Sequence, residues 1–417
     1  MTYKNGAIFI GLFPGFISKS RLPPGPPPLP LLGNLLQVPR SNYQQYYSKW
    51  KGLYGGIAYF RVFGRHFAII NDPEIVTELF DKRSAIYSTR PVLVFDKDDY
   101  LVDLAEKLAK LTTEATEPGR WLVDAFPILQ YLPPWFPGAG FITWAEDAKL
   151  KCQSFTRAPL NYVKEAMATE DFTPSFTSEH LSRIPDNDTD GEDILMYAAA
   201  SMYSGGTDTI VSVMKLFFLM MARHPDIQKR AQDEVDTIIG ENRIPNATDR
   251  PFLPYINCII KELLRFNPVV PLVVHSPEKD DFFSGYLIPK GTWIMANVWH
   301  MTHDPQAYPY PDEFIPERFE DHTHNPTGKV QPDPSNLVFG FGRRICPGRQ
   351  FSEVSLFLAI TCTLWAFSIN PKVDAEGNIS PLNIEFTTGH TVHPKPFECS
   401  VVPRPGNRIL LIKQVLE

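Results

Sequence analysis

A chain of 417 residues, 43% hydrophobic and 21% charged, has ordinary globular composition and enough length to bury a large core. Its formal net charge of −7 gives no support for nucleic-acid binding. The five cysteines (Cys152, Cys258, Cys346, Cys362, Cys399) are odd in number, far apart and form no CxxC pair, which argues against a disulfide framework and a zinc site and suits a reducing compartment.

From the N-terminus, the apolar run Gly6 to Ile17 is interrupted by Pro14 and flanked by Lys4, Lys19 and Arg21. A bilayer-spanning helix needs about 20 apolar residues, so residues 1–21 read either as a short membrane-associated segment or as a disordered terminus. Residues 22–40 form a hinge whose first part, Leu22 to Asn34, is a stiff proline-rich spacer ahead of a folded body over 41–417. Gly56–Phe63 and His66–Asn71 flank Gly64-Arg65 as the arms of a β-hairpin, and Asp72-Pro73 caps a helix running to about Lys82.

Val92 to Asp98 leads directly into a helix expected over Asp99 to Thr116. The stretch Trp121–Gly138 is rich in proline, aromatics and aliphatics. Two readings stand for it: a loop that dips into a membrane as a lid over a hydrophobic channel, or a loop packed into the core. A polar helix follows over Thr143–Met167, then an acidic connection over Glu170–Asp190.

A long helix is expected over Glu192–Arg223, with Gly205-Gly206-Thr207-Asp208-Thr209-Ile210 at its middle. Two helix-interior glycines cost roughly 1 kcal/mol each relative to alanine, which close approach to a flat ligand would offset. An acid beside an alcohol on such a groove, Asp208 and Thr209, can relay protons. Pro225–Ile239 and Phe252–Phe266 read as amphipathic helices, the second placing Glu262 and Arg265 at i and i+3 on one face. Strands are expected over Pro268–His275, Tyr286–Pro289 and Thr292–Val298, then a short helix near His300 and His303, which lack a metal-site context. A β-rich tail closes the chain, with Thr387–His390 as a hairpin tip.

The most informative stretch is Phe339-Gly340-Phe341-Gly342-Arg343-Arg344-Ile345-Cys346-Pro347-Gly348, just before an apolar helical pattern from Gln350 to about Ile369. A lone cysteine between two glycines and ahead of a helix N-terminus can be stabilised as thiolate by backbone N–H groups and the helix dipole. Gly342 and Gly348 allow tight turns and close backbone approach to a flat macrocycle. Phe339 could shield the sulfur, and Arg344 is placed to meet a carboxylate. A thiolate axial ligand favours O–O cleavage at haem iron.

This stretch closely resembles the cysteine-ligand loop of the cytochromes P450. The segment around Asp208 and Thr209 resembles that family's oxygen-activation motif, with Ile210 in place of the usual second hydroxyl residue. Glu262 and Arg265 match its E-x-x-R pair, and Pro316-Glu317-Arg318-Phe319 matches the segment that locks onto it. Trp121–Pro127 and Leu132–Phe141 are similar to fungal members of secondary metabolism, the O-methylsterigmatocystin oxidoreductase-like group.

The resemblance implies a mainly α cytochrome P450 fold with a small β region. It implies haem b ligated by the Cys346 thiolate, propionates held by Arg344 and His275, and proton delivery by Asp208 and Thr209. Val269, Val270 and Leu272 would face the substrate. It further implies electrons from NADPH through a separate cytochrome P450 reductase, a small hydrophobic and polyketide-like substrate, and the cytosolic face of the endoplasmic reticulum membrane.

The chain departs from the family after Pro91. None of its seven tryptophans has arginine four residues later, so the Trp-x-x-x-Arg helix is missing, and roughly a fifth of a typical domain is expected to be absent between Pro91 and Asp99. Two alternatives therefore stand beside a reductase-driven monooxygenase: an inactive truncated remnant or incorrect gene model, and a haem-thiolate isomerase or peroxide user.

Overall fold

The structure is a computed structural model; it describes residues 22–29, 33–39, 42–62, 65–82, 126–169, 174–185, 188–321, 328–373 and 377–416, with single positions between. The run Gly6–Ile17, the Tyr87–Pro91 segment and the helix expected over 99–116 lie outside the described residues, apart from positions 111 and 115.

Alternating apolar residues make two antiparallel strands, β1 (Ile57–Val62) and β2 (Arg65–Ile70), paired from Ile57 opposite Ile70 to Val62 opposite Arg65. Two later strands extend them, β3 (Leu272–His275) and β6 (Trp293–Asn297), giving the order β1-β2-β6-β3. Between these in sequence, β4 (Asp281–Phe283) and β5 (Tyr286–Ile288) form a small hairpin. A helix unforeseen in the sequence, α1 (Tyr43–Tyr54), covers the main sheet by burying Tyr47 and Trp50 against Phe60. Asp72 caps α2 (Pro73–Val76) as expected, accepting the Glu74 N–H at 2.9 Å, and the chain continues as a π-type turn over Thr77–Lys82.

The rest is helical. The polar helix α3 runs over Gly140–Met167. The acidic connection is not wholly irregular, because Ser175 and Ser178 cap each other's backbone and start a short helix, α4 (Phe176–Leu181). The long helix α5 spans Thr189–Arg223. By length and composition it could cross a membrane, but Val213, Leu216, Phe217 and Met220 are buried in the largest apolar cluster, which makes this half a core helix. The same cluster takes Ile227, Ala231 and Val235 from α6 (Pro225–Ile238), and Ile256, Ile259 and Leu263 from α7 (Pro254–Phe266). Leu356, Phe357, Ile360 and Trp365 enter it from α10 (Arg349–Ala366), which follows the short helices α8 (Val298–Thr302) and α9 (Ser335–Val338).

α7 is anchored from outside itself: the Glu234 carboxylate accepts the N–H groups of Tyr255 (2.8 Å) and Ile256 (3.0 Å), donors that its own first turn leaves open. The tail is β-structured only in part. β7 (Phe367–Pro371) pairs with β8 (Cys399–Pro403), and the chain ends in α11 (Arg408–Leu416), where a β-rich close was expected. Arg404 and Arg408 both reach Asp236 on α6, at 2.5 and 3.0 Å, and pin that end.

Beneath the apolar cluster sits a buried charge network. Glu262 accepts two bonds from Arg265 (2.7 and 2.9 Å) and one from Arg318 (3.2 Å), and all three side chains are fully buried. The remaining guanidinium protons go to the carbonyls of Thr302, Pro311, Glu313, Pro309 and Tyr310 and to Gln331. Burial pushes the Arg318 guanidinium below its ordinary value, against the pull of Glu262. Deleting the only carboxylate in this arrangement would leave two buried cations facing each other. Glu262→Ala is expected to destabilise the protein by about 3 to 5 kcal/mol in urea denaturation; a loss under about 1 kcal/mol would mean the network holds nothing together.

Candidate active site

Cys346 is half-buried on the turn between the short helical segment Gly342–Arg344 and α10. Its N–H donates to the carbonyl of Phe339 at 2.7 Å, closing the loop on itself. That closure requires Gly340 (φ +79°) and Gly342 (φ +54°), both in the left-handed region. Gly348 is different: it has ordinary φ, and an added Cβ would meet only Cys346 Sγ, at 3.8 Å. Cys346 Sγ takes no hydrogen-bond partner among the described residues, while the first turn of α10 begins three residues later.

Around the loop, Phe341 is buried against Phe80, whose ring lies face to face with His275 at 3.9 Å and 6°. His275 is buried at the end of β3. Phe339 carries the Arg349 guanidinium over its ring at 5.6 Å, and Arg344 is exposed. Phe339 and Ile210 both pack against the large apolar cluster, so the cysteine loop and the middle of α5 border one core.

On α5 the glycines do not break the helix. Thr209 Oγ1 donates to the Gly205 carbonyl at 2.8 Å, and a Cβ built on Gly205 or Gly206 would meet nothing within 4 Å among the described residues. Asp208 is held by a residue that sequence reasoning passed over: His393 Nε2 lies 3.2 Å from its Oδ2. Burial alone would raise the Asp208 carboxyl, but His393, the Thr391 hydroxyl and Lys215 together hold it below the usual carboxylate range. The hairpin tip expected near Thr387–His390 is present, closed by Thr387 N–H to the His393 carbonyl at 2.8 Å and by a bridge between Phe386 and Pro394. Nothing in the sequence marked His393, since its partner stands 185 positions away.

The two readings of the Pro-rich stretch separate here. Trp121 packs on Trp144 of α3 at 4.8 Å, whereas Ile128, Tyr131 and Trp135 are 71%, 77% and 80% exposed. The loop tip is therefore not part of the core. His300 and His303 stay structural in character: the His303 ring stacks on Trp299, burial pushes it down to about 3, and no His/Cys/Asp/Glu group fit for a metal ion occurs among the described residues.

Among the described residues, a sulfur without hydrogen-bond partners, a helix side left open by two glycines and an apolar surround suit a flat, largely apolar group that takes one thiolate ligand. The family profile described as Cytochrome P450 matches residues 23–103 and 95–401, in two pieces that overlap on the chain. Cytochrome P450 monooxygenase claR of Ampulloclitocybe clavipes is 36% identical over 96% of this chain and 89% of its own length. Cytochrome P450 monooxygenase 208 of Postia placenta is 34% identical over 96% and 94%, and COX2 of Coprinopsis cinerea 32% over 94% and 91%. The alignment with claR runs to 486 positions, more than the 417 residues here, so that relative carries sequence this chain lacks.

Two outcomes test this geometry. Gly342→Ala is expected to cost about 1 to 2 kcal/mol in denaturant midpoint, because alanine resists the left-handed region; Gly348→Ala should stay within about 0.5 kcal/mol of wild type. Asp208 has a folded pKa below its unfolded one, so its pairing stabilises the protein above the ordinary carboxylate range and loses effect as pH falls through the folded value. Asp208→Asn should accordingly flatten the acid side of a stability-against-pH profile, and an unchanged profile would refute the pairing.

Proposed function

This chain belongs to the cytochrome P450 family, and from that premise we propose that Cys346 is the axial thiolate of a haem at which a small hydrophobic substrate is oxidised. The bound group would supply dioxygen activation, assisted by electron donation from the sulfur. Gly340 and Gly342 shape the loop, and the Cys346 N–H bond to Phe339 keeps the sulfur at the head of α10, where the helix dipole favours the thiolate. Phe339 excludes water from the sulfur, and Arg344 and His275 are the proposed partners of the propionates. Asp208 and Thr209 stand side by side on α5 as acid and alcohol for moving protons, with the Gly205–Gly206 side open toward the group. The observation that carries the reading is the free sulfur of Cys346 on a glycine-closed loop bordering the same core as Ile210, next to Thr209.

A separate NADPH-cytochrome P450 reductase is the proposed electron source, and a polyketide-like aromatic compound the proposed substrate class, from the likeness of Trp121–Pro127 and Leu132–Phe141 to fungal secondary metabolism. The exposed Ile128, Tyr131 and Trp135 support a loop that enters a membrane surface, in keeping with a place on the cytosolic face of the endoplasmic reticulum. A second reading, an inactive remnant, is favoured by two observations: the relative's alignment is longer than this chain, and the family profile matches in two pieces.

Two measurements bear on these proposals. With reductase and NADPH supplied, wild-type protein should consume NADPH and form oxygenated product, Cys346→Ser should form none, and Thr209→Ala should lower product per NADPH by about a hundred-fold. Product from hydrogen peroxide alone, with none from NADPH, would point to the peroxide-using class. For the loop, replacing Tyr131 and Trp135 together by alanine should weaken binding to phospholipid vesicles roughly ten-fold or more; equal binding would refute the membrane-dipping role.

A further inference from the structure

We propose that His393 is a positioning residue for Asp208, fastening the acid of α5 to the C-terminal hairpin tip. This inference rests on the monooxygenase reading above for its consequence in turnover, but its geometry stands separately.

The pair is built in from both sides. Val392, adjacent to His393, is 2% exposed and its carbonyl accepts the Ser212 hydroxyl at 2.7 Å and the Asn267 amide at 3.4 Å. Its N–H donates to the Val269 carbonyl at 2.8 Å. Ser212 lies four residues, one helical turn, beyond Asp208, so the tip is fixed to α5 at two successive turns of one face. The His393 backbone is in turn closed on Thr387, accepting at 2.8 Å and donating to the Thr387 hydroxyl at 3.0 Å. An imidazole carried on so constrained a backbone meets Asp208 by design of the fold, unlike a flexible surface pair.

The chemistry follows from proton bookkeeping. An ionised carboxylate can only accept, so Nε2 of His393 carries the shared proton. Nδ1 is buried and has no hydrogen-bond partner among the described residues. With Nε2 bonded to Asp208 and Nδ1 buried, the ring serves to hold Asp208 in place. The other groups that act on Asp208 are Thr391 on the same tip and Lys215 on α5. A basic partner drawn from a hairpin, rather than from α5 itself, ties the acid's orientation to the position of the tip.

Infrared titration of the Asp208 carboxyl, identified by difference against Asp208→Asn, tests this in the full chain. His393→Leu fills the space without a donor and should move the titration upward; His393→Gln keeps a side-chain donor and should return it toward wild type. Ser212→Ala, which loosens the tip but leaves the imidazole, should move the titration in the same direction by less than His393→Leu does. In reductase-driven turnover His393→Leu should lower product per NADPH about ten-fold, with substrate affinity unchanged. Should His393→Leu not fold, nitrogen NMR of the wild type decides: a protonated Nε2 signal that alters in Asp208→Asn supports the pair, and an unaltered one overturns it. An unmoved titration in His393→Leu also overturns it. A wild-type chain with no thiolate-type carbon-monoxide spectrum would sink the monooxygenase reading instead; a normal spectrum with an unmoved titration sinks this proposal alone.

Discussion

Everything around the site depends on how three fully buried charges are satisfied. Glu262 and Arg265 come from α7, Arg318 from the Pro316–Phe319 turn, and between them they collect carbonyls from Thr302 to Glu313. Two guanidiniums against one carboxylate leave a surplus positive charge in a dry interior, tolerable only because every remaining N–H is spent on a carbonyl or on Gln331. That demand fixes the irregular chain over 302–318, and Gln331, against α7. The cysteine loop follows α9, further along the chain. The network does no chemistry itself.

Above the network, the apolar cluster supplies the second constraint. α5, α6, α7 and α10 meet there through aliphatic and aromatic side chains, and the loop residue Phe339 and the helix residue Ile210 are both drawn against it. Hydrophobic burial therefore sets the spacing between the thiol-bearing loop and the acid–alcohol pair, and polar contacts tune it: Thr209 to Gly205, and Asp208 to His393. Other apolar groups stay uncovered. Ile194, Tyr197 and Met202 on α5, and Phe351 on α10, are all more than half exposed. Leaving such side chains in water forgoes about 1.5 to 3 kcal/mol each relative to burial.

What the sequence made readable was local or strongly patterned. The β1–β2 hairpin, the Asp72 cap, the long helix around Asp208, the amphipathic α7 and the helix after Cys346 all carry their own periodicity or capping signal. What escaped had no such signal. α1 buries only Tyr47 and Trp50 of its twelve residues and has no side-chain cap, so neither end nor face announces it. α4 starts from a serine pair where a Ser–Glu box would have been recognisable. α11 is held by Arg408 reaching Asp236, a contact across 172 positions. The His393–Asp208 pair is of the same kind: each residue is unremarked alone, and only the fold brings them together.

The central claim is that Cys346, in this chain as it stands, carries a haem through its thiolate. The reduced carbon-monoxide difference spectrum of the 417-residue protein, expressed with haem supplied, tests it most directly. A thiolate-type Soret band that disappears in Cys346→Ser is expected. Folded protein that takes up no haem, or shows a band unchanged by that substitution, would contradict it.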